Sequence, residues 1–119
     1  MTFFDAEIDA ILKITEPDTK YERFFSLLYI YGDGQHSDVV IKVIKQFIEE
    51  AETDSDSGYA GVFYGSLAYI YLGAGKKDLF QQCMTSARSK FSKIKSSAGI
   101  AIFLTHESII PFSIKPRNN

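Results

Sequence analysis

The chain of 119 residues has one cysteine, no tryptophan, two histidines and three prolines. A single cysteine excludes an internal disulfide, a four-cysteine zinc site and a CxxC redox pair. His36 and His106 leave little from which to build a metal centre, so neither a metal nor a cofactor is expected. Absence of tryptophan counts against a sugar-lined cleft. Long hydrophobic runs are scarce as well. The longest uncharged stretch worth checking, Gly58 to Gly75, holds four tyrosines, five glycines and a serine. It is too polar for a membrane span and reads as a buried core helix. The opening MTFFDAEIDA lacks a basic region and carries an acid by its fifth residue, unlike a signal peptide. With one free thiol as well, a cytoplasmic location is expected.

What is present is ordinary for a folded domain. Apolar residues make up 45% and charged residues 24% of the chain, which argues against disorder. The length suits one domain over residues 1–119 that buries its core without a staple. The net charge of −2 hides an asymmetry. Residues 1–56 hold 13 acids and 5 bases, a balance of −8, and residues 57–119 hold 2 acids and 8 bases, a balance of +6. Halves of opposite sign can steer a partner or pair with a second copy of the chain.

An internal match stands at an offset of 40 residues. Ser26-Leu27-Leu28-Tyr29-Ile30-Tyr31 aligns with Ser66-Leu67-Ala68-Tyr69-Ile70-Tyr71, and Asp38 with Asp78. The apolar pattern continues in register, Val40, Val43, Ile44, Phe47 and Ala51 meeting Phe80, Cys83, Met84, Ala87 and Phe91. That spacing is the stripe of an amphipathic helix. Phe47 falls on Ala87 and Ala51 on Phe91, so bulk is exchanged between copies, as stacked elements sharing a core require.

Each copy, at about 19–52 and 59–94, reads as helix, glycine turn, helix. Thr19 and Glu22 have the spacing of a capping box, and Ser37 suits an N-cap. Gly32-Asp33-Gly34 and Gly73-Ala74-Gly75 occupy matching turn positions. Short helices are expected at about 3–13 and 97–107, with an extended tail over 111–119 because of Pro111 and Pro116. No strand is readily placed. The fold class is therefore all-α: two antiparallel helical hairpins flanked by N- and C-terminal capping helices. Tyr21, Phe25 and Leu28 in one first helix align with Gly61, Gly65 and Ala68 in the other, which predicts close approach of the two.

Ala68-Tyr69-Ile70-Tyr71-Leu72-Gly73, followed by Asp78-Leu79-Phe80, resembles the tetratricopeptide class of helical repeat. The offset lies nearer the length of HEAT or armadillo repeats. The resemblance implies a hairpin scaffold whose relatives mostly bind proteins, and it implies no catalytic residues.

Chemistry is sparse. Cys83 sits on the apolar stripe where the other copy has Val43, so it reads as core. His106-Glu107-Ser108 has the residue types of a triad, but sequence neighbours do not face one another on a helix. No glycine pattern follows a strand and opens a helix, as a phosphate cradle requires. Three features suit a partner. The first is the run Glu49, Glu50, Glu52, Asp54 and Asp56, acids at a helix C-terminus that oppose its macrodipole, with Asp33 and Asp38 in the same acidic half. The second is the tyrosines Tyr29, Tyr31, Tyr69 and Tyr71, a residue type favoured at interfaces. The third is the basic stretch Arg88, Lys90, Lys93 and Lys95. An isoelectric point near 5.6 and the core positions of Phe91 and Ile94 count against nucleic acid.

The expectation is a non-catalytic module that binds a basic protein through its acids and tyrosines, with no membrane partner. In size and acidity it resembles small bacterial immunity-type proteins, which neutralise toxins such as nucleases. A self-associating repeat adaptor is the alternative, and an enzyme whose site is not visible in sequence the third reading.

Overall fold

The computed structural model describes residues 2–31 and 36–110. Six α-helices run through them: α1 (Phe3–Leu12), α2 (Pro17–Tyr31), α3 (Ser37–Ala51), α4 (Gly58–Gly73), α5 (Lys77–Ser92) and α6 (Ser97–Thr105), then a 3₁₀ turn at Glu107–Ile109. No strand occurs among the described residues. The class is all-α, built on antiparallel helical pairs. No helix among them is long and apolar enough to cross a membrane. The chain divides into two compact units, Met1–Gln35 and His36–Asn119, and the boundary falls between the two helices of the first sequence copy. Gly32, Asp33, Gly34 and the tail 111–119 lie outside the described residues.

In the first unit, α1 and α2 pack as an antiparallel pair. Thr2 and Asp5 form a capping box that starts α1. Phe4 meets the Tyr31 ring edge-on at 5.4 Å, and Glu7 pairs with Arg23 at 3.3 Å. The start of α2 corrects the expected Thr19–Glu22 box. Pro17 is the first helical residue, where its missing N–H is no loss. The Glu16 carboxylate instead accepts the Asp18 N–H at 3.2 Å and the Thr19 N–H at 2.5 Å. These bonds, with one to the Thr19 side chain the largest, hold its carboxyl below the usual range.

In the second unit α4 is the hub, packing against α3, α5 and α6. Eleven of its sixteen residues are buried, which is why its sequence is apolar all round rather than striped. Its polar Ser66 is paid for locally by donation to the Val62 carbonyl at 2.8 Å. α3 and α5 each bury one stripe, Val40, Val43, Ile44, Phe47 and Ala51 in α3, and Phe80, Cys83, Met84 and Ala87 in α5. The aligned positions are thus buried in both, except that Phe91 is only half-buried. Ser37 opens α3 as its first helical residue, not its cap. His36 takes the cap position without a side-chain bond.

The turn from α4 to α5 explains its glycine. The Lys76 N–H reaches the Tyr71 carbonyl at 2.9 Å and the Gly75 N–H reaches that of Leu72 at 3.1 Å, closing a Schellman motif. Gly75 takes the required left-handed backbone, at φ 74°. The expected filling of the Gly61–Gly65 stripe is corrected as well. Phe103 lies over Gly61 and Ile110 over Gly65, so the bulk comes from the end of the second unit.

Candidate partner-binding surface

The acidic run begins on the last turn of α3 and continues through the loop to α4. Acids there face the negative end of the macrodipole, a cost of up to about 1 kcal/mol each when exposed. Several find compensation inside the second unit. Glu52 accepts the Tyr64 hydroxyl at 2.5 Å and pairs with Lys90 of α5 at 3.3 Å. The Tyr64 bond first, and Lys90 after it, hold the Glu52 carboxyl below its ordinary range against the opposing effect of burial. Burial, and then Glu52, push the Tyr64 phenol up to about 12.

Asp56 does a different task. One carboxylate oxygen accepts the Lys95 N–H at 2.5 Å and the Ser96 N–H at 2.9 Å, just ahead of α6. Bonds from the Ser96 side chain and these two amides lower its pKa. Asp54 accepts the Asp56 N–H at 3.0 Å, a local turn of the kind aspartate favours. Glu50 takes a weak bond from Gln46 at 3.4 Å. Glu49, Asp54 and Asp38 are exposed, but Lys42 and Lys45 are exposed on α3 too. The α3 surface is therefore of mixed charge. Asp33 lies outside the described residues.

The four tyrosines divide in the same way in both copies. Tyr29 and Tyr69 are each 49% exposed, whereas Tyr31 is half-buried and Tyr71 buried. A neighbour that sequence reasoning missed is Leu72, 45% exposed and three residues from Tyr69 on the same helix face. Val39 and Leu79 are also exposed. α3 and α5 both run antiparallel to α4, so the first turns of α3 and α5 and the last turn of α4 lie at one end. Val39, Tyr69, Leu72 and Leu79 all belong to that end, with Asp38, Lys76, Lys77 and Asp78 beside them. The only advance signal was that Val39 and Leu79 fall off the buried stripes of α3 and α5, a signal the all-round apolar α4 does not offer for Leu72.

Cys83 is buried, and burial pushes its thiol up, away from nucleophilic form. His106 is buried at the C-cap of α6, and His36 stands before α3. Among the described residues no three of His, Cys, Asp and Glu are grouped to hold a metal ion. Arg88, Lys90, Lys93 and Lys95 end α5 and its exit, where Lys90 and Lys93 act on Glu52 and Lys95 on Asp56. No family model matches the chain, and neither a curated protein nor a solved structure matches it.

Proposed function

We propose that this chain is a non-catalytic protein-binding module of the inhibitor or immunity type, which covers a basic partner. What supports it best is the exposure of Val39, Tyr69, Leu72 and Leu79, which the short connections between the packed helices α3, α4 and α5 put at one end of the second unit. Half-exposed tyrosine beside leucine is the composition of an interface anchor, because the ring buries area while the hydroxyl stays wet. Asp38 adjoins this end, and Glu49 and Asp54 form an acidic edge at the exit of α3, beyond Lys42 and Lys45. Such an edge steers a basic surface into contact. Glu52 and Asp56 have internal work and are not assigned to the partner.

Capture of a partner by the tagged protein at low and moderate salt is the first measurement. A basic protein held near one-to-one, and released as salt rises, is the expected result. Tyr69→Ala with Leu72→Ser then weakens binding at all salt concentrations, and Glu49→Lys with Asp54→Lys weakens it mainly at low salt. Unchanged affinity in both double variants removes the assignment. The same apolar end, with halves of opposite charge, also supports an adaptor that pairs with itself. Light scattering decides for that reading if dimers form in the absence of a partner and dissociate with salt.

A further inference from the structure

α6 is nine residues long. Isolated helices shorter than about 12–15 residues are marginal in water, so its form depends on what it rests against. Its start is locked to the start of α4 by backbone. A Cβ on Gly58 would stand 2.2 Å from the Gly99 carbonyl oxygen, and one on Gly99 would stand 2.4 Å from that of Asp56. Farther along, the Phe103 ring lies 3.1 Å from the Cβ position of Gly61 and packs on Phe91 at 4.6 Å between centroids. Ile110, past the 3₁₀ turn, fills the notch at Gly65. The Asp56 carboxylate holds the Lys95 and Ser96 amides, and the Ser96 hydroxyl oxygen accepts the Gly99 N–H at 2.9 Å.

The α3, α4 and α5 packing is made by other groups. Phe47 meets Phe63 at 5.6 Å, and the Glu52, Tyr64 and Lys90 chain joins the three helices. We propose that α6 and the turn after it form a strap, latched by Asp56, which closes over the glycine face of α4 and opens as a unit while α3, α4 and α5 stay folded. Opening uncovers Gly61, Gly65, Phe103 and Ile110, an apolar face that the strap hides when latched. Asp56 is a positioning residue here: it fixes where the strap begins, and Phe103 and Ile110 supply the grip.

Hydrogen exchange of the full chain, read segment by segment, tests this. In Asp56→Ala the amides of α6 and the 3₁₀ turn exchange at least roughly tenfold faster, while those of α3, α4 and α5 stay within about twofold of wild type. Asp56→Asn keeps an acceptor oxygen without the charge and falls between the two. Gly99→Ala pushes the strap off from the other side and gives the same pattern. If all helices accelerate together, the strap is no separate unit. If α6 is unchanged, Asp56 is no latch. Should Asp56→Ala fail to fold, Asp56→Asn and Gly99→Ala carry the same comparison.

Discussion

Replacing Gly58 by alanine is the sharpest test of how the second unit is closed. The new methyl would stand 2.2 Å from the Gly99 carbonyl oxygen. Even close Cα–H···O contacts sit at about 3.3 Å, so that carbonyl must retreat by about 1 Å. The obstacle is backbone, which no change of rotamer can move. Overpacking of this kind costs about 1–3 kcal/mol. Alanine is better than glycine within a helix by up to about 1 kcal/mol, but less of that is recovered at a first residue. A net loss of about 1–2 kcal/mol follows, which lowers Tm by roughly 5–15 °C for a unit of this size. Gly73→Ala is the control, since nothing lies within 4 Å of its Cβ position and its φ is not positive. It gains about 0.4–1 kcal/mol through the unfolded state. Heat and urea melts followed by far-ultraviolet circular dichroism give both values. Gly58→Ala melting at or above wild type, or Gly73→Ala falling as far, refutes the close approach of α4 and α6.

Two further predictions concern ionisation within the Glu52 chain. The Tyr64 phenol is raised from 10.0 to about 12, so its contribution to stability is whole below pH 10 and is lost as pH rises through 12. In an absorbance titration Tyr64 therefore ionises late, and Glu52→Gln brings that step down only in part because burial is the larger cause; a titration that Glu52→Gln leaves unmoved refutes the pairing. Glu52 is shifted the other way, below 4.5, so its contribution is whole above that pH and fades as pH falls beneath it. Urea midpoints measured from about pH 6 to pH 3 fall more steeply for wild type than for Glu52→Gln, and equal slopes would overturn the assignment.

The helices were legible because their signals are local. The stripe Val40, Val43, Ile44, Phe47 and Ala51 marks α3 whatever it packs against, and the all-round apolar run from Gly58 marks a helix buried on most sides. Ends were read less well. Thr19 and Glu22 have the spacing of a capping box, but Pro17 prefers the first helical position, and this draws the cap back to Glu16. Pairings between elements were not legible at all. Nothing in the spacing of Glu52, Tyr64 and Lys90, or of Asp56 and Lys95, reveals that they meet. The stripe of Gly61 and Gly65 was recognised as a place of close approach. Its occupants, Phe103 and Ile110, lie some 40 residues on, in and just past a short helix that was expected at about 97–107 but whose packing partner no local pattern reveals.

The charge pattern gains a second meaning from these contacts. Taken along the chain, a half at −8 and a half at +6 suggest two surfaces meant for others, and acids at the end of α3 oppose the dipole of their own helix. In space, the acidic exit of α3 and the basic exit of α5 belong to the same unit and meet at two points. Lys90 answers Glu52 on the side of α4, and the Lys95 and Ser96 amides answer Asp56 on the side of α6. Partly exposed pairs of this sort contribute little energy apiece. What they select is register, because carboxylates on one exit meet their donors only when α4, α5 and α6 lie in the observed order. Surplus acid remains at Asp38, Glu49 and Asp54, which touch no base of the α5 exit in any of these bonds. Reversal of Glu49 and Asp54 therefore separates the two uses of charge: binding falls, while the melting temperature is held up because relief of the macrodipole offsets loss of the Asp54 turn bond, and a melt lowered by as much as that of Glu52→Gln would assign these acids to the fold instead.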